Sequence, residues 1–357
     1  MEEINMKFIH MADVHLGMMP EDKKGFGSIR KKEIEETFDR VFFEARKEQV
    51  DVILIAGDLY HRPPLMEELK ELNARFERLA PIKVVFIAGN HDCILENSPY
   101  ERFPFADNVI FLKEKEMQSV YVEEYDTTFW GFSYHTKEIG EPLYDEVRPQ
   151  GEGYHILLAH GGDETHIPIN YEKLKWAGFD YVALGHIHKP QVIVQDFMNY
   201  PGSLEPLDHT EKGAHGYFLG EITEEGQQVK FVTFAKRSYE QLNVQIEENE
   251  TLYNISGRIQ EEIESRGREN FYEIYLMGYT PLAGKIRLDS LEQDYFITEI
   301  IDKTKRNYDI DKLYEENREN ILGKFIERMR QLDDPVAKEA MELGIEALLE
   351  TKFEQGR

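Results

Sequence analysis

The sequence predicts an α/β fold: two central β-sheets flanked by helices, then a small α/β accessory domain and a helical C-terminal tail. Short apolar runs alternate with longer amphipathic stretches through the first half of the 357-residue chain. A second block of strand-like segments follows, and from about Tyr295 onward the pattern is helical and highly charged. Strands that alternate with helices form βαβ units, so the sheets are expected to be covered by helices in layers.

Five apolar runs predict buried strands. Each run is short and ends in a turn, as strands in the interior of a sheet do. The runs are Lys7–Met11, Val52–Ala56, Lys83–Ala88, His155–Ala159 and Tyr181–Leu184.

Amphipathic helices are predicted between these strands. Ile34, Phe38, Val41, Phe42 and Ala45 follow the spacing of one helix face. A second apolar set has the same spacing: Leu65, Leu69, Leu72, Phe76 and Leu79. Pro63 and Pro64 precede it and are placed to begin the helix.

The later segments predict the remaining parts of the fold. Four strand-like segments are expected to complete the other half of the two-sheet core: Val192–Gln195, Gly216–Ile222, Val229–Phe234 and Gln241–Ile246. A helical pattern at Leu252–Ser265 and an alternating one at Phe271–Met277 indicate the accessory domain. We therefore predict a core at 1–236, an accessory domain at 237–294 and a helical tail at 295–357. The apolar positions of the tail are Leu313, Ile321, Phe325, Met329, Met341, Ile345, Leu348 and Leu349.

Composition limits the class of protein. The apolar stretch at the N-terminus is too short for a signal peptide or a membrane span, so no membrane association is predicted. The single cysteine, Cys93, excludes an intramolecular disulfide framework, which favours the cytoplasm. The net charge of −27 argues against a nucleic-acid substrate, because DNA binders usually present a basic surface.

Five polar motifs follow the five apolar runs directly. They are D-V-H (Asp13, His15), G-D-L-Y-H (Asp58, His61), G-N-H-D (Asn90, His91, Asp92), A-H-G-G (His160) and G-H-I-H (His186, His188). Ligands of open α/β sheets bind beyond the carboxyl ends of the strands, so these side chains are expected to converge on one rim.

Carboxylates, an amide and imidazoles at one rim suit two divalent cations. Asp13, His15 and His188 could hold one ion. Asn90, His160 and His186 could hold the other, and Asp58 could bridge the two. The set lacks thiolate, so manganese, iron, zinc and nickel all remain open. Two such ions can polarise a phosphoryl group and stabilise both the attacking and the leaving oxygens.

His91 is not needed as a ligand and lies beside one. We expect it to protonate the leaving oxygen, with Asp92 holding its tautomer and charge.

The motifs together resemble those of the calcineurin-like metallophosphoesterases. HMADVHLG, ILIAGDLYH, FIAGNHD, YVALGHIHKP and YPGSLEP are similar to segments of the SbcD-type DNA double-strand-break repair nucleases. Val14 stands where that family has an aromatic residue or leucine. The resemblance covers about Met6 to Ile222 and is weak beyond Ala235.

The resemblance implies a metallophosphoesterase nuclease core that uses the seven metal ligands named above, with His91 as the catalytic acid. It implies His61 as a second functional histidine, which helps to place the DNA end or phosphate. It further implies manganese as the metal and a homodimer. The partners would be DNA and an SbcC-type ABC ATPase, bound through the C-terminal helices. Family members cleave DNA as exonucleases and as single-strand endonucleases.

Other conspicuous residues are expected to have no catalytic role. His10 lies within the first predicted strand and is interpreted as a core histidine with satisfied hydrogen bonds. Cys93 is interpreted as a bystander, and His209 and His215 as loop residues.

Two alternatives to a DNA phosphodiesterase remain open at the level of sequence. One is a phosphodiesterase or phosphatase for small molecules, which the acidic charge favours. The other is a structural adaptor for the ATPase with a slow site, against which the complete ligand set argues.

Overall fold

The fold is taken from a computed structural model that describes residues 5–284, 286–332 and 334–354. Of Pro335 and residues 350–354 only the backbone is described. Residues 1–4, 285, 333 and 355–357, which the predicted domains include, lie outside the described residues. The chain forms two compact units. The first comprises Met1–Gln241, Arg266–Glu273 and Tyr295–Glu299, and the second Leu242–Ser265, Ile274–Asp294 and Ile300–Arg357.

Fifteen strands occur within the described residues. They are β1 Met6–Met11, β2 Val52–Ala56, β3 Lys83–Ile87, β4 Val109–Phe111, β5 Gln118–Val122, β6 Thr127–Gly131, β7 Tyr154–His160, β8 Tyr181–Gly185, β9 Gln191–Val194, β10 Met198–Tyr200, β11 Gly216–Thr223, β12 Gly226–Thr233, β13 Tyr239–Ile246, β14 Phe271–Gly278 and β15 Ile297–Asp302.

Nine α-helices occur in the same described residues. They are α1 Gly27–Lys47, α2 Met66–Glu77, α3 Pro99–Arg102, α4 Tyr171–Lys175, α5 Leu252–Arg266, α6 Asp289–Asp294, α7 Ile310–Asn317, α8 Ile321–Arg330 and α9 Pro335–Glu354. Short 3₁₀ helices lie at Asp22–Lys24 and Glu123–Tyr125.

The first sheet has the strand order β12-β11-β1-β2-β3-β4. Strands β1 to β4 are parallel, whereas β11 pairs with β1 and with β12 in antiparallel fashion. In the register of this sheet, Phe8 of β1 pairs with Val52 of β2 and with Gly220 of β11.

The second sheet has the order β5-β6-β7-β8-β10-β9. Its central strands β6, β7, β8 and β10 are parallel, and antiparallel strands form its two edges.

A shared apolar core lies between the two sheets. Val52 and Leu54 of the first sheet belong to the same buried cluster as Ile156 and Leu158 of the second. The opposite faces are covered as well: α1 and α2 bury Phe38 and Phe76 against the first sheet, in a cluster with Ile53. On the outer face of the second sheet, Leu157 and Val182 belong to a cluster with Leu174 of α4. Both sheets are therefore buried on two faces, as the continuous apolar runs predict.

The predicted layered α/β fold is confirmed, but the strands are distributed differently. The second block was expected to complete one half of the core; instead β11 and β12 join the first sheet, β9 joins the second, and β13 belongs to a third sheet. Backbone pairing between residues far apart in sequence decides which sheet a strand joins. Met6 of β1, for example, pairs with Ile222 of β11. Four short strands, β4, β5, β6 and β10, were not predicted.

Three strands and the C-terminal helices make up the rest of the fold. The third sheet has the order β13-β14-β15. The prediction that the chain is helical from about Tyr295 is wrong for Ile297–Asp302, which form β15; their β-branched residues suit a strand. The helices begin later, at Ile310. Helices α8 and α9 bury Leu322, Ile326, Met341 and Ile345 in a cluster of their own.

None of the helices in the described ranges has an apolar stretch long enough to cross a bilayer. The division into 1–236, 237–294 and 295–357 stays a prediction.

Candidate metal centre

The predicted polar side chains follow the carboxyl ends of five strands drawn from both sheets. Asp13 and His15 follow β1, Asp58 follows β2, and Asn90 follows β3. His160 ends β7, and His186 and His188 follow β8. The two sheets are in contact at this end: the Nδ1 atom of His160, on β7, lies 2.8 Å from the carbonyl oxygen of Ala56, on β2.

The first group of predicted ligands is assembled. One ligand atom each from Asp13, His15 and His188 lies within 4.8 Å of the others. The His15 and His188 Nε2 atoms are 3.1 Å apart. Two imidazole lone pairs that face each other at this distance need a proton or a cation between them.

The second group meets around the Asn90 side chain. The Asn90 Oδ1 atom lies 2.9 Å from His160 Nε2 and 3.2 Å from His186 Nδ1. This is the set that the sequence assigns to the second ion.

Asp58 lies between the two groups. Its Oδ2 atom is 3.6 Å from His15 Nε2 and 3.5 Å from His160 Nε2. The Asp58 carboxylate is buried, and its Oδ2 atom has no hydrogen-bond partner in the described residues. A buried carboxylate oxygen without a donor is costly, and metal ligation is one way to satisfy it. Ligands about 2.0–2.2 Å from a shared ion stand roughly 3–3.5 Å from each other, so the seven side chains fit a pair of cations.

The backbone at the centre adopts conformations that side chains rarely take. Asp13, His15, Asp58 and His186 have φ of 50°, 51°, 50° and 99°. Glycine permits the close packing around them: a Cβ at Gly89 would overlap both Asp58 and the His160 ring. Left-handed backbone at non-glycine residues costs free energy and concentrates at functional sites.

Burial and mutual charge set the protonation of the centre. Burial raises the pKa of Asp13 to about 6. Burial opposes charge on the His160 ring, but the adjacent Asp58 carboxylate outweighs it and raises the pKa of His160 to about 9. Burial likewise opposes charge on His188, whose hydrogen bond to Glu211 helps to raise its pKa to about 9. Without an ion, protons on these two rings supply positive charge that bound cations would replace.

His61 and His91 flank His15 on the rim. The His91 ring lies 4.8 Å from the His15 ring, centroid to centroid, and is stacked 5.2 Å from the His61 ring. The His91 Nδ1 atom is 3.3 Å from the His61 carbonyl oxygen. If Nδ1–H donates to that carbonyl, Nε2 is the nitrogen free to exchange a proton with substrate.

Asp92 was expected to hold the His91 ring, but the contacts of its carboxylate are with other groups. In the described part of the chain the Asp92 carboxylate accepts from Gly89 N at 2.7 Å, Tyr60 N at 3.2 Å and the Tyr100 hydroxyl at 3.3 Å. The side chain is fully buried beneath the loop. Asp92 therefore holds the G-N-H-D loop, and the His61 carbonyl faces the His91 ring instead.

Two carboxylates that sequence reasoning missed contact the histidines of the G-H-I-H motif. Asp163 Oδ2 lies 2.7 Å from His186 Nε2, and Glu211 Oε1 lies 2.6 Å from His188 Nδ1. Asp163 follows the A-H-G-G motif, so its position next to His160 was a usable signal. Glu211 lies in an irregular loop, and no local pattern distinguishes it from other acidic residues.

The residues expected to be bystanders are placed as follows. His10 is buried, with Nδ1 2.9 Å from the Tyr181 hydroxyl and Nε2 3.0 Å from the Leu184 carbonyl oxygen, which confirms a satisfied core histidine. Cys93 is a free thiol in an apolar cluster. His209 is exposed in a loop. His215 is buried, with Nδ1 3.0 Å from Ser203 Oγ.

Comparison with known families gives a match over the part of the chain that carries the centre. The model of the calcineurin-like phosphoesterase family matches residues 6–190, just over half of the 357 residues.

Curated relatives include proteins from bacteria and archaea. The uncharacterized metallophosphoesterase YhaO of Bacillus subtilis is 33% identical over 61% of this chain and 58% of its own. The DNA double-strand break repair proteins Mre11 of Methanopyrus kandleri and Methanocaldococcus jannaschii are 31% and 32% identical over 62% and 60% of this chain. The matches cover 55% and 62% of those two proteins, so the chain spans little more than half the length of these relatives.

Among solved structures, the calcineurin-like phosphoesterase YfkN from Bacillus subtilis is 14% identical with a TM-score of 0.41, over 74% of this chain and 98% of its own.

Proposed function

Because the chain belongs to the calcineurin-like phosphoesterase family, we propose that it is a metal-dependent phosphodiesterase that cleaves DNA. The resemblance to this family is thus confirmed, and its members are dinuclear metal enzymes. The observation that carries the proposal is the buried Asp58 Oδ2, which lacks a hydrogen-bond partner in the described residues and lies 3.5–3.6 Å from ring nitrogens of both predicted ligand groups.

Two divalent cations bound by the seven side chains would polarise a phosphodiester and stabilise the charge that develops on its oxygens. The chain's own rim residues complete the reaction. Water adds to phosphorus and gives up one proton to solvent as the bond to the leaving oxygen breaks. His91 supplies the proton that this oxygen needs and takes one back from solvent afterwards. His61, stacked on His91, orients that ring through its carbonyl group and lines the approach of the substrate.

Carboxylate, amide and imidazole ligands without thiolate are compatible with manganese, which we propose as the working metal. DNA as substrate is supported by the Mre11 relatives, whose names describe double-strand break repair. It is also supported by an exposed cation beside the centre. Lys189, directly after His188, is exposed and has no ion-pair partner among the described residues.

The experiment is cleavage of single-stranded and duplex-end DNA with Mn²⁺ present. We expect His91→Ala to lower turnover on the order of 10²–10⁴-fold, the contribution of a general acid, while two Mn²⁺ ions still bind. His209→Ala, which changes an exposed loop histidine, is the matched control and should keep wild-type turnover. Retained activity in His91→Ala would remove His91 from this role.

A small-molecule phosphodiesterase or phosphatase is the second candidate, favoured by the net charge of −27. Rates on DNA, cyclic nucleotides and phosphomonoesters under the same conditions separate the two. A preference for a small substrate by two orders of magnitude or more would replace the nuclease proposal.

We further propose that the C-terminal helices bind an ABC-type ATPase and that the chain is a homodimer. Ile321 and Leu343 are large apolar side chains on α8 and α9 that are 72% and 60% exposed. The buried cluster between these helices contains Leu322, Ile326 and Ile345 and not the two exposed residues. Ile321→Glu and Leu343→Glu should therefore leave the helices folded. Both variants are expected to lose the ATPase in a pull-down, and light scattering measures the dimer. ATPase capture by both variants would place the contact elsewhere.

A further inference from the structure

The two histidines of the G-H-I-H motif face the metal centre with different ring nitrogens. His186 directs Nδ1 toward Asn90 Oδ1, at 3.2 Å, whereas His188 directs Nε2 toward His15 Nε2, at 3.1 Å. Only a ring nitrogen without a proton can ligate a metal, so the two rings must carry their protons on opposite nitrogens.

A carboxylate lies on the other nitrogen of each ring. Asp163 Oδ2 is 2.7 Å from His186 Nε2, and Glu211 Oε1 is 2.6 Å from His188 Nδ1. An ionised carboxylate can only accept a hydrogen bond, so each one requires the proton on the nitrogen that it faces. The nitrogen that faces the centre is then left with its lone pair.

We propose that Asp163 and Glu211 are positioning residues, each of which fixes the tautomer and the ring orientation of one metal-binding histidine. The proposal rests on the metal centre of the proposed function. It assigns Asp163 to the ion held by Asn90, His160 and His186, and Glu211 to the ion held by Asp13, His15 and His188. Such outer carboxylates typically change metal affinity ~10–100-fold when they are replaced.

Glu211 is held rigidly. Its Oε2 atom accepts hydrogen bonds from Ser203 Oγ at 2.8 Å and from Leu207 N at 2.9 Å. Its side chain is only 10% exposed. With Oε2 bound in this way, only Oε1 is directed at His188.

Asp163 is held by a tight turn. Its Oδ1 atom accepts from Thr165 N and His166 N, both at 2.8 Å. Its Oδ2 atom also lies 2.9 Å from His166 Nδ1. The side chain of Asp163 is 44% exposed, so its hold on His186 is weaker than that of the buried Glu211 on His188.

The test uses amide variants, which keep the size of each side chain but present a donor where the carboxylate accepted. In Glu211→Gln the backbone N–H of Leu207 keeps the amide oxygen on its side, so the NH₂ group faces His188 Nδ1. In Asp163→Asn the turn keeps the oxygen at the Oδ1 position, so the NH₂ group faces His186 Nε2. Either change moves the ring proton to the nitrogen that should bind the metal.

Mn²⁺ binding without DNA is measured by calorimetry, and ion pairs are detected by electron paramagnetic resonance. Each variant is expected to bind one ion with wild-type affinity and the other about 10–100-fold more weakly, Glu211→Gln showing the larger effect. The double variant should weaken both ions. A double variant that still binds one ion with wild-type affinity would overturn the assignment of one carboxylate to each ion.

Glu164→Gln and Asp208→Asn are the matched controls. Glu164 is an exposed neighbour of Asp163. Asp208 is exposed in the loop of Glu211, and the amide that replaces its carboxylate keeps an oxygen to accept the hydrogen bond from Thr210 N. Both controls remove a charge and should bind two ions as wild type does. Equal losses in the controls would show that overall charge, not the hydrogen bond to histidine, sets the affinity.

Unfolding in chelator separates positioning from folding. Each variant should remain folded when no metal is present, so that a loss of Mn²⁺ affinity cannot be attributed to unfolding. If Glu211→Gln is unstable, Ser203→Ala is used instead, because it removes one of the hydrogen bonds that hold Glu211. It is expected to lower the affinity for one ion several-fold; unchanged binding would overturn the role of Glu211.

A wild-type protein that binds two Mn²⁺ ions but does not cleave DNA would refute the nuclease proposal and leave this inference standing. A wild-type protein that binds no Mn²⁺ would refute both.

Discussion

At the scale of single residues, the burial of His10 makes the stability of the folded protein depend on pH. The ring is fully enclosed between Tyr181 and the Leu184 carbonyl group. Burial lowers the pKa of His10 to about 3, against the small opposing effect of the Leu184 carbonyl. The unfolded chain, with an ordinary histidine pKa, therefore takes up a proton on acidification before the folded protein does.

We predict that His10→Gln reduces the acid sensitivity of folding. The folded pKa lies below the unfolded one, so this stability is complete above about pH 6.5 and declines as the pH falls toward 3. Between pH 7 and pH 5 the wild type should lose roughly 2 kcal/mol that the variant keeps, from about 1.4 kcal/mol per pH unit below 6.5. Urea unfolding at both pH values, in chelator, measures the difference. If the free energy of unfolding fell equally in both proteins, the His10 ring of the folded protein would have the pKa of an exposed histidine.

At the scale of elements, helix α1 is attached to the core through a buried charge network. Arg30 is fully buried and lies 2.6 Å from Glu33 and 3.1 Å from Glu205. Glu205 also accepts from Thr37 Oγ1 at 2.6 Å, and Arg237 reaches Glu33 at 2.7 Å. Glu205 belongs to the Y-P-G-S-L-E-P segment, so the helix fixes the loop that leads to Glu211.

Arg30→Met is predicted to destabilise the protein by about 3–5 kcal/mol, because it leaves the buried Glu33 and Glu205 carboxylates without this cation. The measurement is the free energy of unfolding in urea.

Lys32→Met on the same helix is the control. Lys32 forms an exposed pair with Glu36 at 3.3 Å, and such pairs contribute about 0–1 kcal/mol. A cost for Arg30→Met as small as that of Lys32→Met would mean that water reaches the network and screens it.

At the scale of the whole molecule, the net charge of −27 has to be reconciled with the proposed DNA substrate. Long-range repulsion opposes the approach of DNA, and contacts with phosphates normally come from cations. In this chain bound metal ions and the exposed Lys189 would supply that local charge.

We predict that chelation weakens DNA binding on the order of tenfold or more at low salt, because the positive charge of the centre is lost. The measurement is fluorescence anisotropy of a labelled single strand with the His91→Ala variant, which prevents cleavage during titration.

Lys189→Ala in the presence of Mn²⁺ should lower affinity only a few-fold, since it removes one phosphate contact. Undiminished binding in chelator would place the DNA contact away from the metal centre.

The sequence by itself determined which side chains make up the candidate metal centre. Apolar runs followed at once by Asp13, Asp58 and Asn90 are local patterns, and parallel strands bring their carboxyl ends to one edge. Local spacing therefore sufficed to predict the layered fold and to propose all seven ligands, which the structure brings together.

Tertiary structure decided what depends on contacts between distant residues. Pairing of β1 with β11 joined β11 and β12 to the first sheet, and Ile297–Asp302 became a strand by pairing within the third sheet. Asp92 turned away from its neighbour His91 toward Tyr60 and Tyr100, and Glu211 reached His188 across a loop. Periodicity cannot reveal such choices, because the partner of a buried polar group is set by which segments pack against it.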